Sequence, residues 1–134
     1  MPYLVDTDLV IDHLANITEA NQLLDRLAPE GIAISIITYM EAYQGVVRSP
    51  NPQEARTKFQ AFRRSVPVLP FSLTIAKRCA TLREYLRQEQ KRVKSRALDL
   101  INAAIALEHD LMLVTRNVED YRDIPGLQLY PLAA

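Results

Sequence analysis

The sequence predicts an α/β fold on a mostly parallel sheet of four or five strands, and three observations predict it. Short apolar runs alternate with longer stretches of helical periodicity along the chain. The apolar runs, residues 32–37 above all, carry no polar alternation, as strands buried on both faces require. The 134 residues suit a single domain, 1–134, and 49% hydrophobic content supports a core without disulfide staples.

Each element follows from a local signal. Tyr3, Leu4 and Val5 make a short strand that ends at Asp6. Leu9, Val10, Ile11 and Leu14 recur with helical spacing, and a second such pattern through Leu23, Leu24 and Leu27 stops near Pro29 and Gly31. Residues 32–37 are a β-branched second strand. Thr38 then caps a helix, with Glu41 three residues on in the manner of a capping box, and the helix fades at Ser49 and Pro50. Asn51, Pro52 and Glu54 supply a cap, a first-turn proline and a capping glutamate for a helix to about residue 65. Residues 66–71 form a strand containing Pro67 and Pro70, which suits only a sheet edge or a strand end. Ser72 caps a long helix to about residue 90. A basic loop, a helix over 97–109, a strand over 111–114, a turn over 121–126 and a last short strand over 127–130 complete the chain.

Composition excludes several function classes. Cys79 is the sole cysteine, so no internal disulfide forms, and its helix-like surroundings mark it as a small buried apolar residue. With only His13 and His109 beside it, a zinc site of sulfur and imidazole is excluded, and any metal must be held by oxygen. No apolar run reaches the ~20 residues of a membrane span and no signal region opens the chain, which reads as cytoplasmic with no membrane partner. Net charge is zero. Yet residues 77–96 hold eight basic side chains (Lys77, Arg78, Arg83, Arg87, Lys91, Arg92, Lys94, Arg96) against Glu84 and Glu89, a local +6 that leaves −6 elsewhere. Such a stripe is either a solvated helix face or a track for phosphates.

In a parallel sheet the ligand site lies beyond the carboxyl ends of the strands, and four polar stations fall there. Asp6 ends the first strand, with Asp8 two residues on. Either can cap the next helix, but Thr7 and Asp8 suffice for that, leaving Asp6 as a functional carboxylate. Glu41 is locally a capping-box residue, although its place in the first turn of a helix entered from a buried strand puts it near the same edge. Asp99 shares a helix face with Asn102, Ala103 and Ala106, so it points inward, where a carboxylate without a partner is costly and a cation is called for. Thr115, Arg116, Asn117 and Asp120 follow the strand over 111–114. Two unit charges 4 Å apart repel by ~4 kcal/mol at an effective dielectric near ~20, so convergence of Asp6, Glu41 and Asp99 calls for a divalent ion. Hard oxygen donors suit Mg2+ or Mn2+.

The segments LVDTDLVIDHL, ISIITYMEAYQGV and ALDLINAAIALEHDLMLVTRNVEDY, in this order and spacing, resemble the PIN-domain nucleases, specifically the VapC-type toxins of toxin–antitoxin pairs. The resemblance spans nearly the whole chain. It implies a PIN-like α/β/α sandwich, RNA cleavage with Mg2+ or Mn2+, a cognate antitoxin partner and a homodimer joined by helices of the first half. It places the acidic set on Asp6, Glu41 and Asp99, with Asn117 at a fourth position where many members carry aspartate. Direct ligation at that position is thereby in question, and Asp120 is the other residue able to complete the site. Thr115 matches the usual hydroxyl, Asp8 stands where asparagine is common, and Asn102 replaces an apolar residue. The implied chemistry is metal-assisted phosphodiester hydrolysis, with Asp6 and Asp99 as primary ligands and Glu41 binding a second ion or orienting the attacking water. Lys91, Arg92, Lys94, Arg96 and Arg116 are candidates for flanking phosphates. Tyr39 and Tyr43 are packing residues before they are base-stacking ones.

Two rival readings stand beside this one. Asp6-Thr7-Asp8 also fits the opening motif of haloacid-dehalogenase-type phosphatases, but no downstream Gly-Asp pair exists among Gly31, Gly45 and Gly126. A PIN-like scaffold that binds RNA or protein without cutting is the other, and Asn117 is the feature that favours it.

Overall fold

The computed structural model describes residues 2–132. Along them run β1 (Tyr3–Val5), α1 (Thr7–Leu14), α2 (Thr18–Leu27), β2 (Ile32–Ser35), α3 (Ile36–Arg48), α4 (Pro52–Arg64), β3 (Val68–Leu69), α5 (Leu73–Gln88), α6 (Ala97–Glu108) and β4 (Met112–Val114). Short 3-10 turns occupy Ala28–Glu30, Lys94–Arg96 and Val118–Asp120. The four strands lie in the order β3-β2-β1-β4 and every pairing is parallel. Leu4 stands between Ala33 on β2 and Leu113 on β4, which sets the register at the centre.

Alternation along these strands divides the core into two layers. Leu4, Ala33, Leu69 and Leu113 face α5 and α6, packing with Ile75, Leu82, Leu86, Leu100 and Ile105. Their neighbours Val5, Ile32, Ile34 and Val114 face the other way, onto Val10, Leu24, Ala42, Val46 and Phe59 from α1 to α4. The result is the expected α/β/α sandwich, with each apolar strand covered on both sides. Ala103, Ala104 and Ala106 are fully buried, which lets α6 lie close against the sheet.

Three local expectations are corrected. The second strand ends at Ser35, and the N-cap of α3 is Ser35, whose hydroxyl accepts from Thr38 N–H at 3.0 Å. Thr38 therefore lies inside the helix and Glu41 in its second turn, so no capping box forms there. The edge strand shrinks from residues 66–71 to Val68–Leu69. Pro67 and Pro70 flank it, and the proline carbonyl still serves the sheet by accepting from Ile34 N–H at 3.0 Å. The last expected strand, over 127–130, survives only as a parallel bridge of Leu129 to Leu113, because Pro131 and the turn at Gly126 leave no length for a ladder.

Candidate functional site

Asp6 is held at the centre of the sheet edge. Its backbone N–H extends the β1–β4 ladder to Val114 C=O at 2.9 Å. The side chain, 5% exposed, accepts through Oδ1 from Thr7 N–H at 2.9 Å and from the Asn102 amide at 3.3 Å, and through Oδ2 from the Thr115 hydroxyl at 2.7 Å. Asp6 is thus both the N-cap of α1 and a buried carboxylate, so the two readings of it coexist in one residue. Burial pushes its ionisation midpoint up to about 6, with the Asp8 and Asp99 charges adding to the rise and the Thr115 and Thr7 donors opposing it.

Two further carboxylates face this point from other elements. Asp99, in the first turn of α6, is half-buried and accepts through Oδ1 from the Tyr121 hydroxyl at 3.1 Å. Its midpoint is also raised, chiefly by desolvation, with the Asp120 and Glu41 charges contributing. The inward aspartate therefore has a neutral protein donor, and the expectation that it lacks any partner but a cation is corrected. Glu41, on α3, accepts through Oε1 from the Thr7 hydroxyl at 2.7 Å, and that hydroxyl also contacts Thr38 Oγ1 at 3.0 Å. Asn102 ties the elements together: it takes a hydrogen bond from Ser35 at the start of α3 and gives one to Asp6.

The remaining candidates divide. Thr115 is fully buried and serves Asp6 directly, while also accepting from Asn117 N–H at 3.0 Å. The Asn117 side chain is exposed and makes no capping bond. Asp120 is directed at Arg92, 2.9 Å away. Arg116 pairs with Asp8 at 3.3 Å and with Asp12, so this pair occupies a cation expected to be free for phosphates. Arg96 is corrected outright as a phosphate contact. It is 2% exposed, clasps Asp123 through two bonds of 2.6 and 2.8 Å, and donates to the Asp120 and Arg92 carbonyls. It fastens the turn before α6 to the segment after β4, which places Asp99 beside Tyr121. Lys91 and Lys94 stay exposed and form no ion pair among the described residues. Tyr39 and Tyr43 stack on each other and meet Phe59 at an angle, as their packing role required.

The donor set suits a hard cation. It is all oxygen, and Asp99 Oδ2 and Glu41 Oε2 have no hydrogen-bond partner among the described residues, leaving one oxygen on each. As they stand, no three His, Cys, Asp or Glu side chains among those residues are close enough together to hold a metal ion. The neutral donors Thr115, Asn102, Tyr121 and Thr7 instead give each of the three carboxylates at least one hydrogen bond. Tyr121 and Ser35 were not foreseen in this frame, since each meets its partner only across the fold, and Thr7 was expected only as a cap.

With this geometry in view, the PIN domain family model matches residues 3–127. The chain belongs to the PIN-domain family. This PIN domain is 29% identical over 131 residues to Ribonuclease VapC2 of Rickettsia felis, covering 96% of each protein. Its structure is similar to the crystal structure of VapBC2 from Rickettsia felis bound to a DNA fragment from their promoter, with a TM-score of 0.86, 26% identity, and coverage of 99% of this chain and 100% of that one. It also resembles a toxin–antitoxin complex from Klebsiella pneumoniae, with a TM-score of 0.74, 32% identity and coverage of 97% and 99%. The resemblance read from the three acidic segments is borne out, and the phosphatase reading is left without support.

Proposed function

We propose that this PIN domain is an endoribonuclease of the VapC type, the toxin of a toxin–antitoxin pair, using Mg2+ or Mn2+ held by Asp6 and Asp99, with Glu41 orienting the attacking water. The observation that carries the reading is a buried Asp6 at the carboxyl end of a parallel sheet, with the Asp99 charge of α6 acting on it and Glu41 of α3 bonded to the adjoining Thr7. The ribonuclease name of the Rickettsia felis relative and the toxin–antitoxin nature of the similar structures support it. A divalent ion supplies positive charge against the scissile phosphate.

The protein's own groups do the rest. Thr115, Asn102 and Thr7 N–H fix Asp6, so its position does not depend on the ion. Glu41 is oriented by the Thr7 hydroxyl through one oxygen, and the other is open to accept a proton from an attacking water. Lys91 and Lys94 serve flanking phosphates, and Arg116 does so on leaving Asp8 and Asp12. Asn117 offers an exposed amide at the fourth position, where a neutral contact to substrate or ion replaces a charged one. Ile36, Met40 and Val47 form an exposed apolar stripe on α3 (39%, 49% and 63% exposed), which supports a homodimer joined through the first half. Among the described residues no helix is long and apolar enough to cross a membrane, and we place the activity in the cytoplasm.

Expression of the chain alone should arrest growth, and co-expression of its antitoxin should restore it. Harmless accumulation of protein that still cuts RNA in vitro assigns the enzyme to RNA processing instead.

A further inference from the structure

Tyr121 is the largest fully buried side chain, at 1% exposed, and sits in the turn after β4 against the face of α6. Packing alone is served by phenylalanine. A buried hydroxyl adds a desolvation cost that only a partner offsets. Here the partner is Asp99 Oδ1, 3.1 Å away. A phenol keeps its proton at neutral pH, and this one donates it to the Asp99 carboxylate. The bond uses Oδ1 and leaves Oδ2 without a partner among the described residues.

We propose that Tyr121 is a positioning residue of the divalent site, its hydroxyl fixing the Asp99 carboxylate through Oδ1 and leaving Oδ2 for the ion. This inference rests on the reading of Asp6 and Asp99 as metal ligands. The geometry is that of an outer hydrogen bond to a ligating carboxylate, and loss of such a bond weakens metal affinity by roughly 10–100-fold. The Arg96–Asp123 clasp supplies the rigidity, because it joins the turn preceding Asp99 to the segment carrying Tyr121.

The test is Tyr121→Phe, which keeps the ring and removes only the hydroxyl, compared with wild type and Asp99→Asn. Mn2+ affinity is measured by calorimetric titration of each protein, with near-UV circular dichroism confirming native packing and cleavage of a fluorogenic RNA giving kcat and KM. The expected result is about tenfold weaker Mn2+ binding in Tyr121→Phe, lower kcat at subsaturating Mn2+, and unchanged KM for RNA. Recovery of kcat at saturating Mn2+ further supports a role exerted through the ligand. If wild type binds Mn2+, Asp99→Asn loses it and natively packed Tyr121→Phe binds like wild type, the positioning role is overturned while the site stands. If wild type and Asp99→Asn bind Mn2+ alike, or neither binds it, the metal site itself is wrong and the inference falls with it.

Discussion

Replacing Asp6 with asparagine should stabilise the metal-free protein at neutral pH, although Asp6 sits at the heart of the site. A carboxyl whose midpoint rises from 3.8 to about 6 on folding costs about 3 kcal/mol to keep ionised at pH 7.5. The sign follows from the raised folded value: stability is fully present below 3.8 and is lost as pH climbs through about 6. Asparagine removes that cost and keeps an oxygen for Thr7 N–H and the Asn102 amide. Its NH2 then faces the Thr115 hydroxyl, which must turn from donor to acceptor, and this exchange returns roughly 1–2 kcal/mol. The net gain is about 1–2 kcal/mol, or roughly 3–6 °C in Tm for a chain of this size. At pH 5 about half of the charge penalty has already gone from the wild type by protonation, so the gap should narrow. The assay is thermal and urea unfolding of both proteins in EDTA at pH 7.5 and pH 5. A variant that melts lower than wild type at pH 7.5, or a gap indifferent to pH, refutes the reasoning.

Other consequences follow from neighbouring contacts. Asp99→Asn should raise the EDTA melting temperature by less than Asp6→Asn, because Asp99 is half exposed and better screened, and Mg2+ should stabilise it less than wild type. An undiminished response to Mg2+ in differential scanning fluorimetry would show Asp99 to be a helix-start residue only. Arg96→Ala should cost about 3 kcal/mol in urea unfolding, since it leaves Asp123 without its buried partner. Lys94→Ala should leave stability within ~0.5 kcal/mol of wild type while weakening RNA binding, and equal losses in both would mark Lys94 as structural.

The layers and the parallel character of the sheet were legible because they rest on long-range apolar pattern, which few local choices disturb, whereas the order β3-β2-β1-β4 came from the structure. Residues 32–37 read as one strand since Ile36 and Ile37 continue the β-branched run. The chain nonetheless turns helical after Ser35, whose hydroxyl caps the helix while Ile37 is buried in its first turn. Propensity yielded there to a cap one turn earlier than the threonine that looked better placed. Asp6 and Asp99 could be singled out because one ends a strand and the other lies in the first turn of a helix, whereas Glu41, a turn further into α3, looked like a capping residue. Arg96 could not be singled out. Within a run of basic residues nothing local separates an exposed lysine from an arginine that clasps Asp123, 27 positions away. Tyr121 was hidden for the same reason: a residue in a turn looks exposed until α6 closes over it.

The central claim is that Asp6 and Asp99 hold a divalent ion whose chemistry cuts RNA. The most direct measurement is the cleavage rate of a fluorogenic RNA by purified protein across a Mg2+ and Mn2+ titration, with wild type, Asp6→Asn and Asp99→Asn prepared identically. Saturable dependence on either ion is expected, with silence in EDTA that is reversed by excess metal and a loss of at least about 100-fold in both variants. Cleavage that persists through chelation, or that both variants retain at the wild-type rate, contradicts it.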